Sequence, residues 1–344
     1  MPRAPGQATV ADAIAGLLRG LGVQMVAGRP LGDLPHIAVE EPDLACLLAD
    51  SAGRALGGWG AAFLDDGVLH LSCKPGGRAH PRRVASLEDV AEEVGLLVDH
   101  RHLPRTVALH LDLDLGAPAG SGVDIPRHDD GVVLTLHPSL GQLRLGVLVG
   151  PGVARGGYEA GLASLAAKLG VAVFNTWGAK GIFRWDSPYH GGTVGLQERD
   201  LELAGLAELD VLVTAGLDPD ETPGSAFDPF GALQIQDVEP WQLAALTHAW
   251  GATPDPPEGR TRAYTEMAAV VTPLYESTST PLSPARAALH LSGARPTGGV
   301  IVAQPGAAGF WVARTFPTGE AGSVVVPATV ESGSAVAASL ASVD

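Results

Sequence analysis

The chain has 344 residues, of which 46% are hydrophobic and 17% charged, with a net charge of −16. That length and apolar content support two or three packed cores. No basic stripe offsets the acidity, which argues against nucleic-acid binding, because phosphate neutralisation needs clustered Lys and Arg. The two cysteines, Cys46 and Cys73, form no CxxC pair and no Cys/His ligand spacing, so neither a disulfide framework nor a structural zinc is expected. The N-terminus lacks the apolar core of a signal peptide, and no run is long and apolar enough to span a bilayer. A soluble, cytoplasmic protein without membrane or nucleic-acid partners is the expectation.

Along the chain, Thr9 is placed to cap a helix whose apolar face is Val10, Ala13, Ile14, Leu17, Leu18 and Leu21. Strands are predicted at 23–27 and 37–39, and a helix at 43–56. Residues 68–73 alternate like a strand, Ser86 is placed to cap a helix over 87–98, and TVALHLDL (106–113) reads as a strand. The β/α alternation predicts a parallel sheet flanked by helices. Residues rich in Gly, Pro and Asp then mark a linker over 119–141.

A second α/β unit follows. LRLGVLVG is its first strand, GPGVARGG a Gly-rich turn, and 158–169 a helix. Strands are predicted at 171–176, 210–215 and 233–238, with a helix over 241–250. A connector over 252–281 contains a helix at 261–271. The last segment, 282–344, offers a helix start capped by Ser283, strands at 299–303 and 323–326, a helical turn at 310–315 and a small-residue helix over 329–341. It is too small for a core of its own.

The order of these phrases resembles the thiamine diphosphate enzymes of the acetolactate synthase and 2-oxo-acid decarboxylase family. VADAIAGLLRGLGVQMVAGRPLG (10–32) resembles that family's opening helix and strand, and ACLLADSAGRALG (45–57) the helix after its glutamate. Residues 145–196 and LDVLVTAGLDPDE (209–221) are similar to the central domain, including its T-x-x-x-K-G phrase, which supplies Lys180 in a positional role. LSPARAALHLSG with VIVAQPG (282–306) resembles the start of the diphosphate domain. The resemblance implies an α/β fold with a reduced form of the family's architecture. It divides the chain into a shortened pyrimidine-type domain (1–118), a linker (119–141), a central domain (142–251), a connector (252–281) and a fragment of the diphosphate-type domain (282–344).

The family's reaction needs a glutamate on the aminopyrimidine, a Gly-rich surface beside it, and an Asp and an Asn holding a Mg²⁺ that clamps the diphosphate. Glu41 is the candidate glutamate, one residue from the position that counting back from Ala49-Asp50 gives. An acidic pair, Glu40 and Glu41, stabilising a helix start is the competing reading. There is no G-D-G phrase, and the one asparagine, Asn175, falls in the central domain. The resemblance therefore implies a homologue that is non-catalytic on its own. No metal site and no cofactor are expected on the chain alone, with thiamine diphosphate and Mg²⁺ bound only if a partner completes the site. A homo-oligomer or a complementary chain is the implied partner, and one chain of a split 2-oxo-acid decarboxylase or synthase is the alternative.

Other constellations remain open. Gly150, Gly152, Gly156 and Gly157 follow a strand and precede a helix, a pattern that suits the phosphate of FAD or ADP but also a plain structural turn. Asp218, Asp220 and Glu221 suit a metal or a solvated turn. His80, His100, His102 and His190 are scattered and read as surface or packing residues. Trp177, Phe183, Trp185 and Tyr189 read as core packing before they read as an aromatic pocket.

Overall fold

The computed structural model describes residues 8–55, 58–74, 77, 79–120, 123–126, 143–249, 259–320, 322–326 and 333–341. The chain divides into two compact units, one of residues 1–131 with 333–344 and one of residues 132–332.

The first unit contains α1 (Val10–Gly20), β1 (Val26–Gly28), β2 (His36–Ile37), α2 (Pro42–Ala55), β3 (Gly60–Phe63), β4 (Val68–Ser72), β5 (Arg82–Val84), α3 (Leu87–Asp99) and β6 (Thr106–Leu111). Both sequence-read caps form reciprocal capping boxes. Thr9 Oγ1 accepts the Asp12 N–H at 3.2 Å while Asp12 accepts that of Thr9 at 2.8 Å, and Ser86 with Asp89 repeats the arrangement.

The six strands run β2-β1-β3-β4-β6-β5. This sheet keeps the parallel pairs β1/β2, β1/β3 and β5/β6 and adds one reversed strand: β4 lies antiparallel to both β3 and β6. The cause is local. β3 and β4 are joined by a short hairpin in which Gly67 takes a positive φ of 81° and Leu64 N–H donates to Val68 O at 2.9 Å, a connection only antiparallel neighbours can use. β4 is buried along its whole length and does not alternate with solvent.

Two strands of this unit, β3 and β5, are absent from the sequence reading. One is GAAF, without β-branched alternation, and the other has two exposed arginines before the buried Val84. Packing supplies what their propensity lacks. A Cβ on Gly60 would stand 1.8 Å from Ala49 O, so glycine lets β3 run directly under α2.

One core of this unit joins Ile14 and Leu18 of α1, Val90 and Val94 of α3, and Phe63, Leu69, Leu71 and Leu109 of the sheet. A second joins Ala45, Leu48 and Ala49 of α2 to Ala27, Ala62 and Ala337. Ala337 lies on the helix Ser334–Ala341, so the end of segment 282–344 folds with the first unit. The start of the sequence-read linker is also packed: Val123 and Ile125 lie on the α1/α3 core. Residues 127–142 lie outside the described ones.

The second unit contains β7 (Leu145–Val149), α4 (Pro151–Gly156), α5 (Glu159–Leu169), β8 (Val173–Thr176), β9 (His190–Val194), α6 (Asp200–Leu203), β10 (Val211–Ala215), β11 (Gln234–Val238) and α7 (Gln242–Ala249). It continues with α8 (Arg262–Glu276), α9 (Pro284–Ala294), β12 (Ile301–Val302), α10 (Ala307–Thr315) and β13 (Val324–Val325). Five strands in the order β11-β10-β7-β8-β9 are all parallel.

Alternate residues of β7 serve opposite faces. Val147 and Val149 pack with Leu162 and Leu165 of α5, while Leu148 packs with Phe174 and Ala263. Such two-sided burial is what makes β7 a continuous apolar run. The helix expected at 261–271 runs on to Glu276, is capped by the Thr261 hydroxyl, and places Ala263 and Met267 in this core. β12 and β13 pair in parallel, with Ala288, Val312, Ala313 and Phe316 packed beside them. Among the described residues no helix is long and apolar enough to cross a membrane.

Candidate functional site

Within the second unit, a cavity of about 340 Å³ opens between the loop at 180–185, β9, α8, α9 and α10. Lys180 reaches its wall from the end of a single 3₁₀ turn, Trp177–Ala179, whose Trp177 carbonyl accepts the Lys180 N–H at 3.0 Å. The lysine is only 7% exposed. Burial pushes its amine down to about 7, and the Arg314 guanidinium adds to the effect.

Arg314 itself is neutralised. Its Nη2 donates to both oxygens of Asp200 at 2.8 and 2.6 Å, and its Nη1 to Thr193 O at 2.9 Å. Asp200 also accepts the N–H groups of Leu196 and Gln197, so α10 is tied to the loop that opens α6.

His190 stands on β9 beside them. Burial, then the charges of Lys180 and Arg260, hold its pKa down to about 3, so the ring is neutral at physiological pH. Its Nε2 lies 3.3 Å from Asn175 Oδ1, and the Asn175 amide donates to Thr176 O and Thr193 Oγ1. Tyr275 completes this wall, its hydroxyl donating to Thr315 O, with burial raising its pKa to about 12. Of the sequence-read aromatic group, Trp185 lines the cavity and Phe183 stacks on His190, whereas Tyr189 and Trp177 pack against cores.

The Gly-rich turn lies elsewhere, where strand order reverses between β7 and β10, the usual ligand crevice of such sheets. It is not a plain turn: Gly150 is the N-cap of α4, Pro151 its first residue, and Gly157 its left-handed C-cap. Pro just inside the start and Gly just past the end is the signal that identifies this helix from sequence. The Gly150 N–H donates to Ala215 O at 2.9 Å and the Gly152 N–H to Gly216 O at 2.8 Å. Those donors are therefore engaged by the turn after β10. Gly156 lies against the Tyr158 ring.

The acidic group in that turn is structural in its contacts. Asp218 receives a bidentate pair from Arg155 at 2.9 and 2.6 Å, both side chains buried, and Glu221 accepts from the Thr176 hydroxyl and the Gly178 N–H. The sequence reading had no partner for Asp218, because Arg155 lies 63 residues away.

In the first unit, Glu41 is exposed and its carboxylate accepts the N–H groups of Asp43 and Leu44, at 3.3 and 2.6 Å, in the first turn of α2. Glu40 is exposed beside it. His80 is exposed, His100 half-buried and His102 buried. A constellation that sequence reading missed lies under α2: Asp50 and Cys46, one helical turn apart, face His70 of β4, whose Nε2 is 2.8 Å from Asp50 Oδ1. Burial lowers the His70 pKa, but hydrogen bonds and charge from Asp50 and Cys46 outweigh it and raise the value to about 9.

The family model for the thiamine pyrophosphate enzyme central domain matches residues 143–248. Residues 143–248 are thus similar to the central domain of the thiamine pyrophosphate enzymes. A crystal structure assigned as a thiamin diphosphate-dependent enzyme from Mycobacterium smegmatis is similar over 98% of this chain and 79% of that one, at a TM-score of 0.61 and 17% identity. At that identity the likeness is one of fold. No curated protein sequence matches the chain.

The described residues do not fit the Mg²⁺–diphosphate cradle that a thiamine pyrophosphate enzyme needs. Asn175, the sole asparagine of the sequence, is buried with both ends of its amide hydrogen-bonded inside the second unit.

Proposed function

We propose that this thiamine pyrophosphate enzyme homologue does not carry out the family's carbanion chemistry by itself. It keeps the acetolactate synthase-like framework in the cytoplasm as a member of an oligomer. The observation that carries this reading is the placement of Asn175, enclosed by Thr176, Thr193 and His190 and so taken out of any diphosphate site. The engagement of Glu41 with the first turn of α2 supports it.

Calorimetric titration of the purified chain with thiamine diphosphate, with and without Mg²⁺, is the test. The expected result is no Mg²⁺-dependent heat and no decarboxylation of pyruvate. Micromolar, Mg²⁺-dependent binding with turnover would overturn the reading, and Glu41→Gln would then be the variant to examine for loss of turnover.

The exposure of Glu41 favours one further reading. In it, this chain presents Glu41 to a second polypeptide that carries the diphosphate cradle, as one half of a split 2-oxo-acid decarboxylase or synthase. That reading requires turnover to appear only when the second chain is added, and to fall at least tenfold with Glu41→Gln.

A further inference from the structure

We propose that the cavity beside Lys180 is a binding site for a small monocarboxylate with an apolar tail, whose carboxylate pairs with the Lys180 ammonium.

Three observations converge on that ligand. The first is an unanswered charge. Lys180 is nine-tenths buried and has no hydrogen-bond or ion-pair partner for its side chain among the described residues. A buried ammonium with no counter-ion is costly, and in a core built only for packing an apolar residue takes its place.

The second is the charge balance around it. Asp200 is taken by Arg314 through both oxygens. Arg260 is spent on the carbonyls of Ser187 and Asp186 and lies 4.5 Å over the Tyr264 ring. His190 is neutral, as is Tyr275. Of the two cations that line the cavity, Lys180 and Arg314, only Lys180 lacks a paired carboxylate among the described residues, which matches a monoanion. A phosphate dianion would bring a second charge with no partner into the same buried space.

The third is shape. The cavity holds about 340 Å³, the small end of the usual range for ligand pockets. That is room for roughly ten waters, at about 30 Å³ each in the liquid. Its apolar walls include Met267, Val271, Leu289, Phe316 and the ring of Trp185, with Thr272 and Tyr264 among the polar residues beside them. The apolar surfaces reward a hydrocarbon tail. Orientation follows: carboxylate toward Lys180, tail toward α8 and α9.

The linkage to protons gives the site a signature that packing alone lacks. A carboxylate beside Lys180 favours its charged form and raises an amine pKa that burial and Arg314 hold near 7. Binding at pH 8 therefore draws up to one proton from the buffer. The other groups facing the amine do not supply it: Arg314 and Asp200 form their own pair, His190 titrates far below pH 8 and Tyr275 far above.

The probe is hexanoate, with 1-hexanol and inorganic phosphate as comparisons. Each is titrated calorimetrically into the full chain at pH 8, in two buffers of different ionisation enthalpy. Hexanoate is expected to bind at least tenfold more tightly than 1-hexanol, with net proton uptake, and phosphate not to bind. In Lys180→Met the preference for hexanoate over the alcohol disappears, and in Leu289→Trp, which fills the cavity from its rim, both are lost. Equal binding of acid and alcohol, binding without proton uptake, tighter binding of phosphate, or no binding of hexanoate by the wild-type chain would each overturn the assignment. The proton measurement on the wild type decides the matter even if a variant does not fold. Thiamine diphosphate takes no part in the experiment, so its result is independent of the proposed function.

Discussion

Arg314 and Asp200 form a bidentate ion pair in which the side chains are only 5% and 4% exposed. The pair joins α10, from the segment that resembles a diphosphate domain, to the loop that opens α6. It also decides the state of the neighbouring lysine. With Asp200 committed to Arg314, Lys180 meets a like charge and pairs with no acid among the described residues.

Breaking that pair is expected to be expensive. Asp200→Asn keeps the shape but leaves the Arg314 guanidinium buried without a counter-ion, and weakens the acceptor for the Leu196 and Gln197 N–H groups. Removing one partner of a buried pair typically costs about 3–5 kcal/mol. Urea unfolding should show a stability loss of that order, while cutting the exposed Arg199–Glu202 pair with Glu202→Gln should leave stability nearly unchanged.

Lys180 gives a pH dependence of known sign. Its amine is protonated up to about pH 10.4 in the unfolded chain, but its folded pKa is depressed to about 7. Between those values the unfolded chain holds the extra proton, so the native state is penalised increasingly as pH falls toward 7. Lys180→Met removes the penalty. The variant should be more stable than wild type at pH 6, with the advantage shrinking to nothing above about pH 10.4. An advantage independent of pH would show that the amine is solvated and ordinary.

His70 should behave in the opposite sense. Its folded pKa of about 9 lies above the ordinary value of 6.5, so the stabilisation it gains from Asp50 and Cys46 is complete below pH 6.5 and is lost as pH rises through 9. The upper bound is about 3 kcal/mol, from roughly 1.4 kcal/mol for each pKa unit. Unfolding of wild type and His70→Gln at pH 6 and pH 10 measures it: the gap between them should be large at pH 6 and much smaller at pH 10. Direct titration of the His70 ring by NMR with a midpoint near 6.5 would contradict the account.

Gly150→Ala tests how closely the two turns at the strand-order reversal approach. Gly150 has a φ of −112°, which alanine adopts freely, so any cost is steric. The added Cβ would stand 2.3 Å from Gly216 O and 2.5 Å from Leu217 Cα, both backbone atoms that cannot swing aside. Overpacking of this kind costs about 1–3 kcal/mol. Thermal unfolding should show the loss, and a midpoint unchanged from wild type would mean that the turns are free to separate.

The sequence determined what local chemistry controls. Thr9 and Ser86, each with an Asp three residues on, carry their capping boxes in plain view, and the apolar stripe of α1 needs no partner to be recognised. In the second unit β7 and β10 read as continuous apolar runs because both their faces are buried, whereas β9 (HGGTV) and the largely exposed β11 (QIQDV) do not. The order of the unit's elements was recognisable as that of the thiamine pyrophosphate enzyme central domain.

What the sequence left open is what depends on contacts between distant residues. GAAF becomes a strand because Gly60 lets α2 lie on it. Gly150–Gly157 becomes a capped helix whose donors are engaged by the turn after β10. Asp218 becomes half of an ion pair with a residue 63 positions away. Lys180 reads as a positional lysine until the fold encloses it and gives Asp200 to Arg314. An isolated charge is then left beside an apolar cavity, a property of the arrangement that no segment of the chain carries alone.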